Sequence, residues 1–147
     1  MWQLDDGGPV ACSPVTMPIP HANPWWLAPL ARRLWRLLLL ALVLAVCWLA
    51  FSPAPPRSAD TGWDKANHAL AFAVLAVNAE LAFWPLPRRR LLSALALLAF
   101  GGFIELVQTQ IATRTGEWLD LLADGCGIAL GLLLVAVVQG LGTRLRR

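Results

Sequence analysis

Charge is scarce in this chain. Asp, Glu, Lys and Arg make up 14% of its 147 residues, and apolar residues make up 58%. A soluble domain of ordinary composition carries about 25% charged residues. A soluble protein of this length could not hide so much apolar surface, which excludes that class. Cysteine is scarce too. Cys12, Cys47 and Cys126 are odd in number, far apart and without a CxxC pair, which excludes a disulfide framework or a zinc-finger-like site. Cys47 and Cys126 stand inside apolar stretches, where a buried thiol is ordinary. No internal repeat, nucleophile motif, phosphate-cradling glycine loop or H-E-x-x-H signature is present. The net charge of +3 does not point to nucleic acid, because the arginines stand beside the long apolar runs rather than in a patch of their own.

Those apolar runs are the dominant feature. A bilayer span needs about 20 apolar residues, and four such stretches nearly exhaust the sequence. They are expected at about 34–51, 65–84, 91–110 and 119–141. The fold class expected is all-α, a polytopic membrane bundle of four transmembrane helices. Residues 1–30 hold Pro9, Pro14, Pro18, Pro20, Pro24 and Pro29 and read as a disordered or surface-lying arm. Trp25 and Trp26 are placed to rest at an interface, and Met17 is an alternative start to Met1. Arg32, Arg33 and Arg36 around the start of the first run give it the look of a signal peptide, and Leu44-Ala45-Val46-Cys47 resembles a lipoprotein cleavage box. The apolar run continues past that cysteine to Phe51, so an uncleaved anchor is expected.

Arginine and lysine set the orientation. Arg32, Arg33, Arg36, Arg88, Arg89, Arg90, Arg144, Arg146 and Arg147 fall at one set of span ends, and only Arg57, Lys65 and Arg114 at the other. The positive-inside rule places both termini and the triple-arginine loop in the cytoplasm. Trp35 and Trp84 then mark the inner interface, and Trp48, Trp63 and Trp118 the outer one.

The polar residues within the spans collect at the outer ends. Asp64 and His68 stand one turn apart on the second span, with Lys65 beside them. On the third, Gly101, Glu105 and Gln108 share a stripe. On the fourth, Asp120, Asp124, Gly127 and Gly131 do so. Glycines in such a stripe let a neighbouring helix come close, so Gly101, Gly127 and Gly131 are expected to pack helices, and the acids on the same faces point inward with them. Arg114 lies in the loop between the third and fourth spans, within reach of the cluster. Ionisable groups so near hydrocarbon are costly and mark a site. Asp64, Lys65, His68, Glu105, Gln108, Arg114, Asp120 and Asp124 are therefore the candidate ligand-binding residues, and His68, Glu105 and Asp124 the catalytic candidates if the protein is an enzyme. Purely structural roles compete at each position: helix capping for Asp64 and Asp120, interhelical hydrogen bonding for Glu105 and Gln108, a counter-ion role for Arg114. Asn78 and Glu80 lie toward the inner end, where Glu80 is expected to reach the triple-arginine loop. At least four carboxylates face two permanent cations, leaving room for a bound cation, a shared proton or a cationic ligand group. His68 with these acids suits an oxygen-rich metal site, yet no linear signature supports one, and no metal or cofactor is expected.

Asp64-Lys65-Ala66-Asn67-His68, followed by Phe72 and Leu75, resembles the D-K-x-x-H opening of the VanZ-like membrane proteins. Glu105-x-x-Gln108 is similar to their E-x-x-Q, and Arg114, Asp120, Gly127 and Gly131 to the R-x-x-S-x-x-D-x-x-x-N-x-x-G-x-x-x-G run that follows. The resemblance covers about residues 60–135. Glu117 stands where that family has Ser and Asp124 where it has Asn, both adding acid. The resemblance implies a VanZ-like four-helix domain over residues 31–147, in a multi-pass protein of the bacterial inner membrane with a role at the cell envelope. The family is linked to resistance to the glycopeptide teicoplanin, and it implies no defined reaction.

Three functions fit. In the first, an outward-facing pocket binds a polar or anionic envelope molecule, such as a lipid-linked precursor or lipid headgroup, held by Arg114, Lys65 and protonated His68. The second is an acid–base enzyme acting on a lipid-linked substrate. The third is a proton- or cation-coupled transporter subunit, for which no chain of acids crosses the whole membrane. The partners expected are the lipid bilayer, that envelope ligand and further copies of the chain, and not nucleic acid.

Overall fold

The computed structural model describes residues 29–53, 56, 61–83, 87–112 and 116–144. Among them the regular structure is entirely helical: α1 (Pro29–Phe51), α2 (Asp64–Phe83), α3 (Pro87–Gln108) and α4 (Trp118–Arg144). All four contain a segment long and apolar enough to cross a membrane. The rise of about 1.5 Å per residue makes the shortest of them about 30 Å long, matching a hydrocarbon core of about 30 Å.

Helix boundaries follow local chemistry rather than hydropathy. α1 and α3 both begin at a proline, which needs no amide partner in the first turn. Their basic flanks, expected outside the spans, are wound into the first turns, because a long arginine stem carries its charge away from apolar surroundings even when its backbone is helical. α3 ends at Gln108, two residues short of expectation, where Gln110 and Ile111 donate short bonds to Val107 O (2.9 Å) and Gln108 O (3.0 Å) and tighten the chain out of the α-helix. α4 runs on to Arg144, since Gly140 and Gly142 cost helix propensity without preventing a helix. The expected arm lies outside the described residues but for Pro29 and Leu30, which belong to α1.

α2 is the centre of the bundle. Phe72, Leu75, Ala76, Ala79 and Ala82 are buried on it, while α1 has no fully buried residue and packs along the side. The most extensive pairing is between α2 and α4. Its cause is visible in two glycines. A Cβ on Gly127 would collide with the Ala69 carbonyl, and one on Gly131 would stand 2.5 Å from Ala73 O and 3.0 Å from Ala76 Cβ. Backbone meets backbone there, as small residues permit between membrane helices. Phe72 and Phe100, with ring centres 6.0 Å apart, join α2 to α3; Phe51 and Phe103, edge to face at 6.4 Å, join α1 to α3. The outward faces are leucine-rich, with Leu37, Leu44, Leu95, Leu133 and Leu134 exposed. At the end opposite the candidate site, Arg90 pairs with the buried Glu80, as expected, and Arg36 donates to Ala82 O while stacking over Phe83.

Candidate functional site

The start of α2, the end of α3 and the start of α4 come together at one end of the bundle, and the polar residues of all three meet there. A turn sets the first of them. Gly62 has φ +80°, a conformation that a residue with a side chain adopts only under strain. Thr61 Oγ1 accepts from Trp63 N at 3.3 Å, and Asn67 Oδ1 accepts from Thr61 N at 2.9 Å. Trp63 O then receives the first helical bonds of α2, from Ala66 and Asn67. This turn fixes Asp64, Lys65 and His68 on the first turn and a half of the helix.

His68 is the hub. Its Nδ1 lies 2.9 Å from Asp124 Oδ1, and its Nε2 is 3.7 Å from Glu105 Oε1. Asp124 is fully buried and Glu105 nearly so. Asp124 fits because Gly101 on α3 has no side chain: a Cβ there would collide with Asp124 Oδ2 and stand 3.1 Å from its Cγ and 3.3 Å from Phe72 Cζ. Gly101 thus makes room for a carboxylate, beyond the packing role its stripe suggested. A second layer sits nearer the helix ends. Lys65 Nζ binds Glu117 Oε2 at 3.0 Å and the buried Asp120 Oδ1 at 3.3 Å. Glu105 links the layers, since its Oε2 accepts from Glu117 N at 2.7 Å and so holds the entry to α4. Gln108, also buried, donates Nε2–H to Ala50 O at 3.2 Å, a bond from α3 to the last turn of α1.

Of the candidate binding residues, Asp64, Lys65, His68, Glu105, Gln108, Asp120 and Asp124 all lie in this assembly. Arg114 lies outside the described residues. Two participants were missed. Glu117 was noted only as a departure from the VanZ-like pattern, yet it binds Lys65 through its side chain and Glu105 through its amide. Asn67 anchors the turn before α2. A polar residue three positions after Asp64, one turn from the helix start, was the available signal for the latter.

Beside the cluster lies a cavity of about 530 Å³ between α1, α2 and α3. Asp64, Asn67, His68 and Gln108 line its polar end, and Leu42, Val46, Leu75 and Ile104 are among the residues of its apolar length. Lys65 is not among its lining residues. Among the described residues the polar end is therefore acidic and amide-rich, with an imidazole as its one ionisable base. Chemically the site can accept a hydrogen-bonding or cationic head while sheltering a hydrocarbon chain, and the Asp124-held imidazole can exchange a proton at Nε2.

The chain matches no family model, no curated protein and no solved structure, so the VanZ-like resemblance rests on the motif residues themselves.

Proposed function

We propose that the chain is a VanZ-like protein of the bacterial inner membrane that binds an amphiphilic molecule of the cell envelope, its head at the His68 end of the cavity and its hydrocarbon chain along α1 and α2. Both termini are cytoplasmic and the polar end faces outward. The observation carrying this reading is the cavity's two-part lining, polar at the helix ends and apolar along the bundle. Such pockets suit a ligand with few, well-placed polar groups on a large apolar body. The arginine asymmetry supports the orientation. The sequence favoured an anionic head held by Arg114, Lys65 and protonated His68. With Lys65 already bound to Glu117 and Asp120, a head carrying an amine or several hydroxyls fits the lining better.

The test is lipid retention. Full-length protein purified in mild detergent should carry one class of envelope lipid in a fixed ratio, read by mass spectrometry of the extract. Val74→Trp, at a half-exposed cavity residue, and Ala71→Phe should both expel it. Identical lipid profiles in wild type and both variants would refute the reading.

A second reading, acid–base catalysis on a lipid-linked substrate, is favoured by one observation. Asp124 fixes His68 through Nδ1, leaving Nε2 directed toward Glu105. That is the arrangement in which a carboxylate orients an imidazole for proton transfer. Asp124→Asn, which keeps the shape, should abolish turnover of a lipid-linked substrate while leaving lipid retention intact.

A further inference from the structure

Three side chains at the polar end of the cavity spend their donors inside the fold. Thr61 Oγ1 donates to Trp63 O at 3.0 Å. His68 Nδ1 stands 2.9 Å from Asp124 Oδ1 and, facing an acceptor, donates to it. Gln108 Nε2 donates to Ala50 O. Lys65 turns away from its neighbour Asp64 toward Glu117 and Asp120.

What is left over accepts. Gln108 is 6% exposed and lines the cavity. With its amide nitrogen fixed on Ala50 O, its Oε1 has no hydrogen-bond partner among the described residues. That oxygen takes its donor from whatever enters the cavity. Asp64 lines the same end, one helical turn from His68, and it has neither hydrogen bond nor ion pair among the described residues. The cavity thus presents an uncompensated carboxylate and an unused amide oxygen, and none of the described residues lining it is Lys or Arg.

We propose, resting on the amphiphile reading of this cavity, that its ligand is a lipid with a primary ammonium head, held by the Asp64 carboxylate and by Gln108 Oε1. An –NH₃⁺ group brings one positive charge, three donors and no acceptor, which is what the lining lacks. A phosphate head brings negative charge and acceptors to a carboxylate without a cation. A hydroxyl head brings donors but leaves the charge of Asp64 uncompensated. A quaternary ammonium brings the charge without an N–H, so it separates attraction by charge from hydrogen bonding. Charge-assisted hydrogen bonds are the stronger kind, and the apolar length along Leu42, Val46 and Leu75 shelters the hydrocarbon chain.

The test offers full-length protein, delipidated in mild detergent, equal amounts of dioleoyl phosphatidylethanolamine, phosphatidylcholine and phosphatidylglycerol. Lipid retained through gel filtration is read by mass spectrometry. The ethanolamine lipid should be retained about tenfold over each of the others, the worth of one hydrogen bond to a charged group. Asp64→Asn should bring the ethanolamine and glycerol lipids level. Asp64 is exposed in the first turn of α2, so the variant keeps its fold, which helical circular dichroism checks. Excess free ethanolamine should leave the bound lipid in place, and displacement by it would assign the site to a small amine instead of a lipid. Equal retention of the three lipids by wild type would overturn the ammonium head while leaving the amphiphile reading intact. So would equal retention of the choline and ethanolamine lipids, or a preference that survives in Asp64→Asn. A wild type that retains none of the three would overturn both.

Discussion

Replacing Gly127 with alanine tests whether helix spacing builds the site. In an isolated helix the change is favourable by about 1 kcal/mol, since alanine is the better helix former. Here the new Cβ would collide with Ala69 O and stand 2.9 Å from its carbonyl carbon and 3.0 Å from its Cα. None of these is the end of a flexible side chain. The Ala69 carbonyl is committed to the α2 ladder and cannot rotate aside, so α2 and α4 must separate. Overpacking of this kind costs about 1–3 kcal/mol, enough to reverse the propensity gain. The strain falls on the site, because His68 adjoins Ala69 and Asp124 lies one turn before Gly127, and their 2.9 Å contact spans the same interface. Gly140→Ala is the control, as a Cβ there meets nothing within 4 Å, and it should gain up to about 1 kcal/mol. Thermal unfolding followed by helical circular dichroism in one detergent should place Gly127→Ala below wild type and Gly140→Ala at or above it. Equal stabilisation by both would refute the close approach of α2 and α4.

Other substitutions probe the remaining supports by the same measurement. Gly62→Ala should destabilise by about 1–2 kcal/mol, since φ +80° costs a residue with a Cβ about that much. Gln108→Ala should cost about 1 kcal/mol for the lost bond to Ala50 O, and a thiol probe at position 49 should report a looser end of α1. At the opposite end, Arg90→Ala should destabilise more than Glu80→Gln. The first leaves a carboxylate that is 6% exposed without its cation, whereas the second leaves an arginine side chain that is 39% exposed and can reach solvent.

The four helices were legible because their apolar runs match bilayer thickness, and the convergence of polar residues because Asp120, Asp124, Gly127 and Gly131 share one helical stripe. A glycine that must face a neighbouring backbone carries the acids on its face inward, which is where Asp124 lies. Three things were not legible. Helix periodicity gives the face of Gly101 but not which side chain opposes it, so its service to the Asp124 carboxylate needed three dimensions. The Lys65 bond to Glu117 joins residues fifty-two positions apart, and no local pattern announces it. The part of α1 was hidden as well. Its role in the cavity and in the Gln108 bond is played by Leu42, Val46 and Ala50, apolar residues indistinguishable in sequence from those that face lipid.

The proposed envelope role requires a bundle that crosses the membrane with the His68 end toward the cell exterior. The direct measurement is thiol labelling in intact spheroplasts, with Cys12, Cys47 and Cys126 replaced by serine and single cysteines introduced as Thr61→Cys and Arg88→Cys. A membrane-impermeant maleimide should label Thr61→Cys before lysis and Arg88→Cys only after it. Labelling of Arg88→Cys from outside, with Thr61→Cys protected, would contradict the account.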